Sequence, residues 1–522
     1  MSCKGYTPLS CEGVKWLVRK DIHPSVKEQL LPALSSSSFF KKSRAIKEGA
    51  RKSLWEFSVS GDGGDEGYLI KRYQSKGVIS RLKTLFISSK AARELKAARA
   101  IELQGIPTTP PVAMGERRRW GCITESLVVL KKLQECRDLN QYFLKEYPAL
   151  TLHQDLLEKR MIIEEFGRFA RNVHQAGILQ TDFSLNNFLL TRDARGKPQL
   201  YLSDFEKVKI KHRVSFAQGV KCLAKLNRVG REISAPDRWR FLKSYQGGND
   251  RKGIKSFART VYERTLSLLK QDMARGRITN VYTDALYERY EEQGIKGYYR
   301  KEYKLEDILD IIHRFDLLAK SLPSADAKHR EELQLELAHG SKMQLLTVMR
   351  YINHPGSTSA SALWTKMCIL FMAGIPLNLP HVVMEVEVKD NREGYLFIPR
   401  REHEVSLGAF LRPPLAKEEL LLVLDLLSKL MKKLHHFGTF GDGISESDFV
   451  VVERGIGNPS LYLKNVERFT VKKEVLLSEK KRELTLLNAL IKKHYPTMTF
   501  DLAQRYFKTG DREQKIIMNY EL

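Results

Sequence analysis

The sequence predicts an α+β fold made of two tandem two-lobed domains, each a β-rich lobe followed by a helical one. Three observations predict it. The first is strand-like alternation early in the chain, IKEGARKSLWEFSV and then YLIKRY, closed into a hairpin by the glycine-rich turn at 61–67. The second is the helical pattern that follows, culminating in 155–174, where Leu157, Met161, Phe166 and Phe169 fall on one face. The third is self-similarity. Shifted by 261 positions, residues 174–210 lie without a gap on residues 435–471 and are identical at ten of the 37 positions. Upstream, the helix end MAGIP at Pro376 follows the same logic as LQGIP at Pro107, and TVMRY parallels LIKRY. The expected boundaries are an N-terminal extension over 1–45, a first domain over 46–250, a helical end and connector over 251–335, and a second domain over 336–522.

Composition bounds the partners. With 88 Lys and Arg against 62 Asp and Glu, the 522 residues carry a net charge of +26, which calls for a polyanionic partner. A nucleic-acid partner ranks below an anionic membrane surface or a phosphorylated glycolipid, because aromatic residues do not interleave with the basic run as stacking platforms do. The six cysteines are scattered without a Cys-x-x-Cys pair, which argues against a zinc site or a disulfide frame. No cationic start leads into an apolar run, and no stretch approaches the length of a membrane span. The expected location is therefore cytoplasmic, with peripheral association at the inner membrane left open by the basic balance.

Residues 1–45 read as a loop-rich approach ending in the serine run 35–38. In the β-rich lobe that follows, Gly49 stands where a phosphate-covering loop belongs, and Lys71 ends an alternating strand. A lysine in such a strand is by default a solvated cation; the downstream loop gives it a phosphate to grip. Between Lys71 and Arg99 nine basic residues face one acid, Glu94, which lies in an alanine-rich helix and is placed to pair with Lys71; Glu102 is the second choice. In the same run Val78, Leu82, Leu85 and Phe86 have the spacing of one apolar helical face among cations, the look of an interfacial membrane helix or of a plain packed helix. The strand CITESLVV is expected to lead into a hinge near 125–130. Asp138 opens the next helix, and His174 closes the long one as a structural histidine rather than a base.

The chemistry gathers at 182–204. Asp182 precedes Asn187 by five residues, as in the catalytic loop of protein kinases, and Ser203-Asp204-Phe205-Glu206 stands where Asp-Phe-Gly would. Phosphoryl transfer needs this set: one Asp at the acceptor hydroxyl, and an Asn with a second Asp holding Mg²⁺ against the phosphates of ATP. The His-x-x-Gly-Ile helix end, Thr-Asp-Phe in place of the Arg-Asp pair and Asp-Phe-Glu in place of Asp-Phe-Gly resemble the lipopolysaccharide kinases of the Kdo/WaaP type. The later pieces carrying Asn227, Arg228, Arg240 and Tyr245 resemble them too, so the likeness spans roughly residues 46–247. It implies a protein-kinase-like fold and an ATP- and Mg²⁺-dependent transferase. Its acceptor would be a hydroxyl of the lipopolysaccharide inner core, heptose or Kdo, at the cytoplasmic membrane face. A protein kinase of the same fold and a non-catalytic membrane-associated scaffold are the alternatives. Thr181 replaces the arginine that many protein kinases use to sense a phosphorylated activation loop, so regulation of that kind is not expected.

The second copy keeps the scaffold and loses the chemistry. Asp182 meets Gly443, Asn187 meets Asp448, Asp204 meets Asn465, Lys71 meets Met349 and Glu94 meets Leu363. Without the lysine and the second metal-binding Asp, a hard cation and its phosphates have too little charge to hold them. The expectation is an inactive, pseudokinase second domain, with Asp442 and Asp448 as its only residual acids at the site.

Overall fold

The computed structural model describes residues 5–508 apart from 37–38, 43–44, 48, 50–51, 62–63, 76, 78–83, 148–149, 151, 230–232, 278–285, 316, 318–329, 340–341, 354–358, 389–390, 454–458 and 498–500. The chain forms two compact units, Met1–Leu226 with Trp239–Ile254, and Asn227–Arg238 with Lys255–Leu522. Each has the α+β composition and lobe order expected of a kinase-like fold.

The first unit opens on the hairpin β1 (Tyr6–Cys11) and β2 (Val14–Arg19). Its turn residues Glu12 and Gly13 both take positive φ, the mirror-image turn whose twist matches paired strands. Helix α1 (Pro24–Ser35) follows, then β3 (Ala45–Lys47), β4 (Lys52–Gly61), β5 (Gly64–Gln74), α2 (Lys90–Leu103), β6 (Pro111–Arg119) and β7 (Cys122–Lys131). The strands form one seven-stranded sheet in the order β1-β2-β6-β7-β5-β4-β3. One face buries Trp16, Val18, Trp55, Ile70 and Val129 against Leu30 and Leu34 of α1. The other buries Tyr73, Met114, Val128 and Leu130 against Ala91, Ala92 and Leu95 of α2. Neighbours Val128 and Val129 go to opposite faces, as the two-residue strand period requires.

Three expectations are corrected here. Within 1–45 the described residues are not a loop-rich extension, because β1, β2 and α1 complete this sheet and its core. Leu85 and Phe86 sit in a turn ahead of α2 rather than on a helical face, and Val78 and Leu82 lie outside the described residues. The 125–130 stretch is the middle of β7, paired on both sides, so the lobe crossing comes after Lys131.

The helical lobe contains β8 (Arg137–Asp138), α3 (His153–Gln175), β9 (Ile178–Gln180), β10 (Phe188–Arg192), β11 (Pro198–Leu202), β12 (Val208–Ile210), α4 (Phe216–Leu226) and α5 (Ala235–Gln246). Phe166 and Phe169 of α3 are buried as expected, whereas Leu157 and Met161 are half exposed; Ile162 and Ile163 take their place in the core. Gly177 ends α3 with φ +73°, and a Cβ there would lie 1.9 Å from the Lys211 carbonyl, so only glycine fits. That close approach pairs β9 with β12 and brings the two loops of the site together.

The second unit contains α6 (Arg251–Ala274, its first turn in the first unit), β13 (Tyr287–Glu292), β14 (Ile295–Arg300), α7 (Leu305–His313), β15 (Arg330–His339), β16 (Lys342–Asn353), α8 (Ala360–Met372), β17 (Val382–Val388) and β18 (Asn391–Pro399). Its sheet runs β13-β14-β17-β18-β16-β15, the order of the first sheet without the edge strand β3 among the described residues. The expected helical connector over 251–335 is therefore corrected: α6 is helical, but Tyr287–Glu292 and Ile295–Arg300 are a hairpin of the second sheet. Its exposed charged residues masked the alternation of Tyr287, Ile295 and Tyr299 toward the core.

Details recur at equivalent places. Tyr6 donates its hydroxyl hydrogen to the Pro111 carbonyl at 2.7 Å, and Tyr287 to that of Pro380 at 2.6 Å. Gln293 and Gly294 form a turn with both φ positive, like Glu12 and Gly13. Downstream come β19 (Glu404–Ser406), α9 (Lys417–Phe437), β20 (Thr439–Gly441), β21 (Phe449–Glu453), β22 (Pro459–Leu463), β23 (Phe469–Val471), α10 (Leu477–His494) and α11 (Leu502–Lys508). Gly438 has φ +87°, and a Cβ there would meet the Lys472 carbonyl at 2.2 Å, the counterpart of Gly177 and Lys211. Among the described residues, no helix is long and apolar enough to cross a membrane.

Candidate active site

Alternation along β5 sends Ile70 into one core and Lys71 toward α2, whose alanines let the helix approach closely enough for Glu94 to reach the sheet. Glu94 is fully buried; one carboxylate oxygen takes the Lys71 ammonium and the other accepts from the Tyr73 hydroxyl at 2.6 Å. Lys71 Nζ also lies 3.1 Å from Asp204 Oδ1. Burial works against the ammonium, but Glu94 and Asp204 outweigh it and hold Lys71 above the ordinary lysine range. Burial likewise pushes the Tyr73 phenol up, with Glu94 adding to it, so this hydroxyl stays protonated. The second-choice acid, Glu102, pairs instead with Arg19 and Arg99.

Asp204 follows β11 with φ +56°, a left-handed conformation that costs a non-glycine residue energy and is concentrated at functional sites. It is fixed there by Gln180, whose amide donates to the carbonyls of Ser203 and Asp204 at 3.0 and 2.9 Å. Burial would raise the Asp204 carboxyl, but Lys71 and Lys52 prevail and keep it below the usual carboxylate range. The acid is ionised at neutral pH.

Asp182 lies in the loop between β9 and β10 with its side chain exposed. Asn187, buried one short turn later, donates its amide to the Asp182 carbonyl at 2.6 Å, and its own carbonyl accepts from Ser203 N–H at 2.9 Å. The Asn187 side chain thus fixes the loop that carries Asp182, and its backbone ties that loop to the residue beside Asp204. Its amide nitrogen being used, the side-chain oxygen of Asn187 is the atom left for a cation. Gly49 lies between β3 and β4, where a Cβ would come within 2.9 Å of the Lys52 carbonyl, closer than a side chain tolerates without a shift.

Two residues of the site gave no signal as such in the sequence. Lys52, at the start of β4, reaches 3.6 Å from Asp204 Oδ1 and 3.3 Å from Glu206 Oε2. Lys90, at the first turn of α2, lies 2.7 Å from Glu206 Oε1. Glu206 therefore joins the strand after Gly49 to the helix that carries Glu94. Burial raises its carboxyl, and the two lysines bring it below its ordinary value. Lys52 and Lys90 each resemble an exposed cation in sequence; only the shared acid distinguishes them.

His174 is buried, stacked on Phe183, and hydrogen-bonded through Nδ1 to the Tyr245 hydroxyl at 2.8 Å. Burial pushes its imidazole down to about 4, so it is neutral and structural. Asn227 bonds Thr265 at 3.2 Å, and Arg228 pairs with Asp272 at 2.7 Å, both within the second unit.

The equivalent place in the second unit is filled from within. Strand pairing sets Met349 opposite Leu396, as Lys71 lies opposite Val128. Gly443 replaces Asp182 with φ +73°. Asp448 is fully buried and bonded to Ser445 N–H at 2.7 Å, Asn465 at 3.1 Å and the Arg468 guanidinium at 3.1 Å. Arg468 also donates to the Gly443 carbonyl at 2.7 Å. A fixed organic cation satisfies the remaining acid.

A lysine clamped between a helix glutamate and a loop aspartate, beside a loop Asp and Asn, in a two-lobed α+β fold, defines a kinase. Residues 38–245 match the model of the Lipopolysaccharide kinase (Kdo/WaaP) family. Among solved structures, one titled "WaaP in complex with acyl carrier protein" is 21% identical, covering 43% of this chain and 89% of that chain with a TM-score of 0.33. No curated protein matches the chain.

Proposed function

We propose that the first unit transfers the γ-phosphoryl group of ATP to a hydroxyl of a lipopolysaccharide inner-core sugar, heptose or Kdo, at the cytoplasmic face of the membrane. The observation that carries the transfer is the bridge from Glu94 through Lys71 to Asp204; the family match over 38–245 supports the acceptor class. Asp182 would orient the acceptor hydroxyl and take its proton as the bond to phosphorus forms. Lys71, positioned by Glu94, would neutralise the phosphates as the β–γ bridge oxygen leaves with its electron pair. Charge in that transition state is spread over phosphoryl oxygens, so positioned cations supply most of the acceleration.

The donor set fits Mg²⁺. Two hard oxygen ligands, the Asn187 side-chain carbonyl and the ionised Asp204 carboxylate, suit an ion that completes its shell with phosphate oxygens and water. When bound, the ion supplies charge neutralisation of the phosphates. We further propose that the chain is a tandem duplication whose second unit, from the hairpin at Tyr287 onward, is catalytically inactive and serves as a platform.

The test is phosphate counting on the lipopolysaccharide core by mass spectrometry after incubation with ATP, Mg²⁺ and purified protein. Wild type is expected to add phosphate, and Asp182→Ala to lower the rate by about 10³-fold with nucleotide still bound. Phosphate appearing on protein instead of glycolipid would overturn the acceptor. Full activity in Asp182→Ala would overturn the enzyme.

A further inference from the structure

Two turns in the first unit meet to form an aromatic knob with a cationic collar. One is the tip of the β6–β7 hairpin, where Trp120 has φ +50° and is 89% exposed. The other is the turn before α2, where Phe86 is 90%, Ile87 55% and Leu85 49% exposed. They are held together: Ile123 N–H donates to the Thr84 hydroxyl at 2.8 Å, and the Leu85 side chain packs over Gly121, leaving a Cβ there only 3.4 Å from Leu85 Cδ2. Exposed aromatics at nine-tenths of their free area are costly in water and are rarely paired by chance at adjacent turns.

The two turns themselves are basic in sequence. Residues 84–90 and 117–123 contain no acid, while Arg117, Arg118, Arg119 and Lys90 are basic. The Arg119 guanidinium lies 5.0 Å from the Trp120 ring centroid, a cation stacked on the face of the exposed aromatic. The nearest carboxylates, Glu116 and Glu125, are turned inward and neutralised by Arg118 and by Arg72 with Arg117. An amphipathic indole with a guanidinium on its face, beside an apolar phenyl ring, matches a lipid headgroup layer, apolar at depth and anionic at its surface.

We infer that Leu85, Phe86, Ile87 and Trp120, with Arg119, form a docking site for an anionic lipid bilayer. This rests on the proposed lipid-borne acceptor only for its purpose, since the site itself is independent of the chemistry. Docking here would present the start of α2, and with it the Lys90–Glu206 pair, to the membrane side.

The test is cosedimentation of the full chain with phosphatidylcholine vesicles and with phosphatidylcholine–phosphatidylglycerol vesicles, neither containing lipopolysaccharide. Wild type is expected on the anionic vesicles, with binding that falls as salt rises; Phe86→Ser with Trp120→Ser is expected to weaken it by about tenfold or more. Phe86→Leu with Trp120→Phe should retain most of it, which separates loss of the knob from loss of fold. The Ser pair should phosphorylate soluble core oligosaccharide at the wild-type rate. Equal vesicle binding by wild type and the Ser pair overturns the inference. So does no binding by wild type, including the case where the patch holds an acidic protein instead. If wild type binds vesicles through the patch but phosphorylates no core sugar, the docking site stands and the proposed acceptor falls.

Discussion

Glu94→Gln isolates the ion pair on which the site depends. The substitution keeps shape and one carbonyl oxygen, but removes the charge that Lys71 and the Tyr73 hydroxyl share. Breaking a buried pair by neutralising one partner costs about 3–5 kcal/mol. Here Lys71 retains Asp204 at 3.1 Å, and glutamine can still accept one hydrogen bond, so the expected loss is about 2 kcal/mol. For a unit of this size that lowers the midpoint of its thermal transition by about 4–8 °C. The catalytic effect is larger, because Lys71 is then drawn toward Asp204 and away from the phosphates. A loss of about 10²-fold in kcat/KM for ATP corresponds to about 2.7 kcal/mol of lost transition-state stabilisation. Calorimetry and initial-rate kinetics on the same preparation measure both. A variant that melts within about 1 °C of wild type and turns over within about twofold would refute the claim that Glu94 holds Lys71 in its working position.

Other expectations follow from the same contacts. Glu206→Gln frees Lys52 to lie against Asp204 alone, so it should raise the Mg²⁺ concentration for half-maximal activity about two- to fivefold while changing stability by less than about 1 kcal/mol; an unchanged Mg²⁺ titration curve counts against the role given to Glu206. His174 is pushed down to about 4 from 6.5, so the neutral imidazole stabilises the fold fully above about pH 6.5, and that contribution is lost as pH falls toward 4. Between pH 7 and 5 this group should cost wild type about 2 kcal/mol that His174→Gln does not lose, and parallel pH–stability profiles would exclude the account. Arg468→Ala strips a buried Asp448 of its cation while leaving Ser445 and Asn465 in place; a loss of about 2 kcal/mol in the second unit, recovered by adding Asp448→Asn, is expected in urea titrations.

The catalytic loop was legible because spacing is one-dimensional: five residues from Asp182 to Asn187 and seventeen more to Asp204 survive any packing. The placement of Lys71 and Glu94 was legible for the related reason that a strand lysine and a helix acid are few in a run of basic residues. What stayed hidden depends on partners far apart in the chain. Lys52 and Lys90 become site residues only through Glu206, more than a hundred positions away. The hairpin at 287–300 was missed because its outward face is charged, and the one at 6–19 because its first strand is exposed from Thr7 to Ser10 without alternation, yet each carries a signal that a stricter search would use, an X-Gly pair in a mirror-image turn. Arg468 escaped notice because it lies outside the motif, at the position that the shift of 261 residues pairs with Lys207.

The acid at 206 also bears on how such an enzyme is switched. Where a glycine ends the triplet, as in protein kinases, no side chain stands there to be held, and the packing of the Phe before it sets the active and inactive states. Here the triplet ends in a side chain anchored to two lysines on different elements. An outward swing of Asp204 would first have to part Glu206 from Lys52 and Lys90, a step that a glycine at this position would not require.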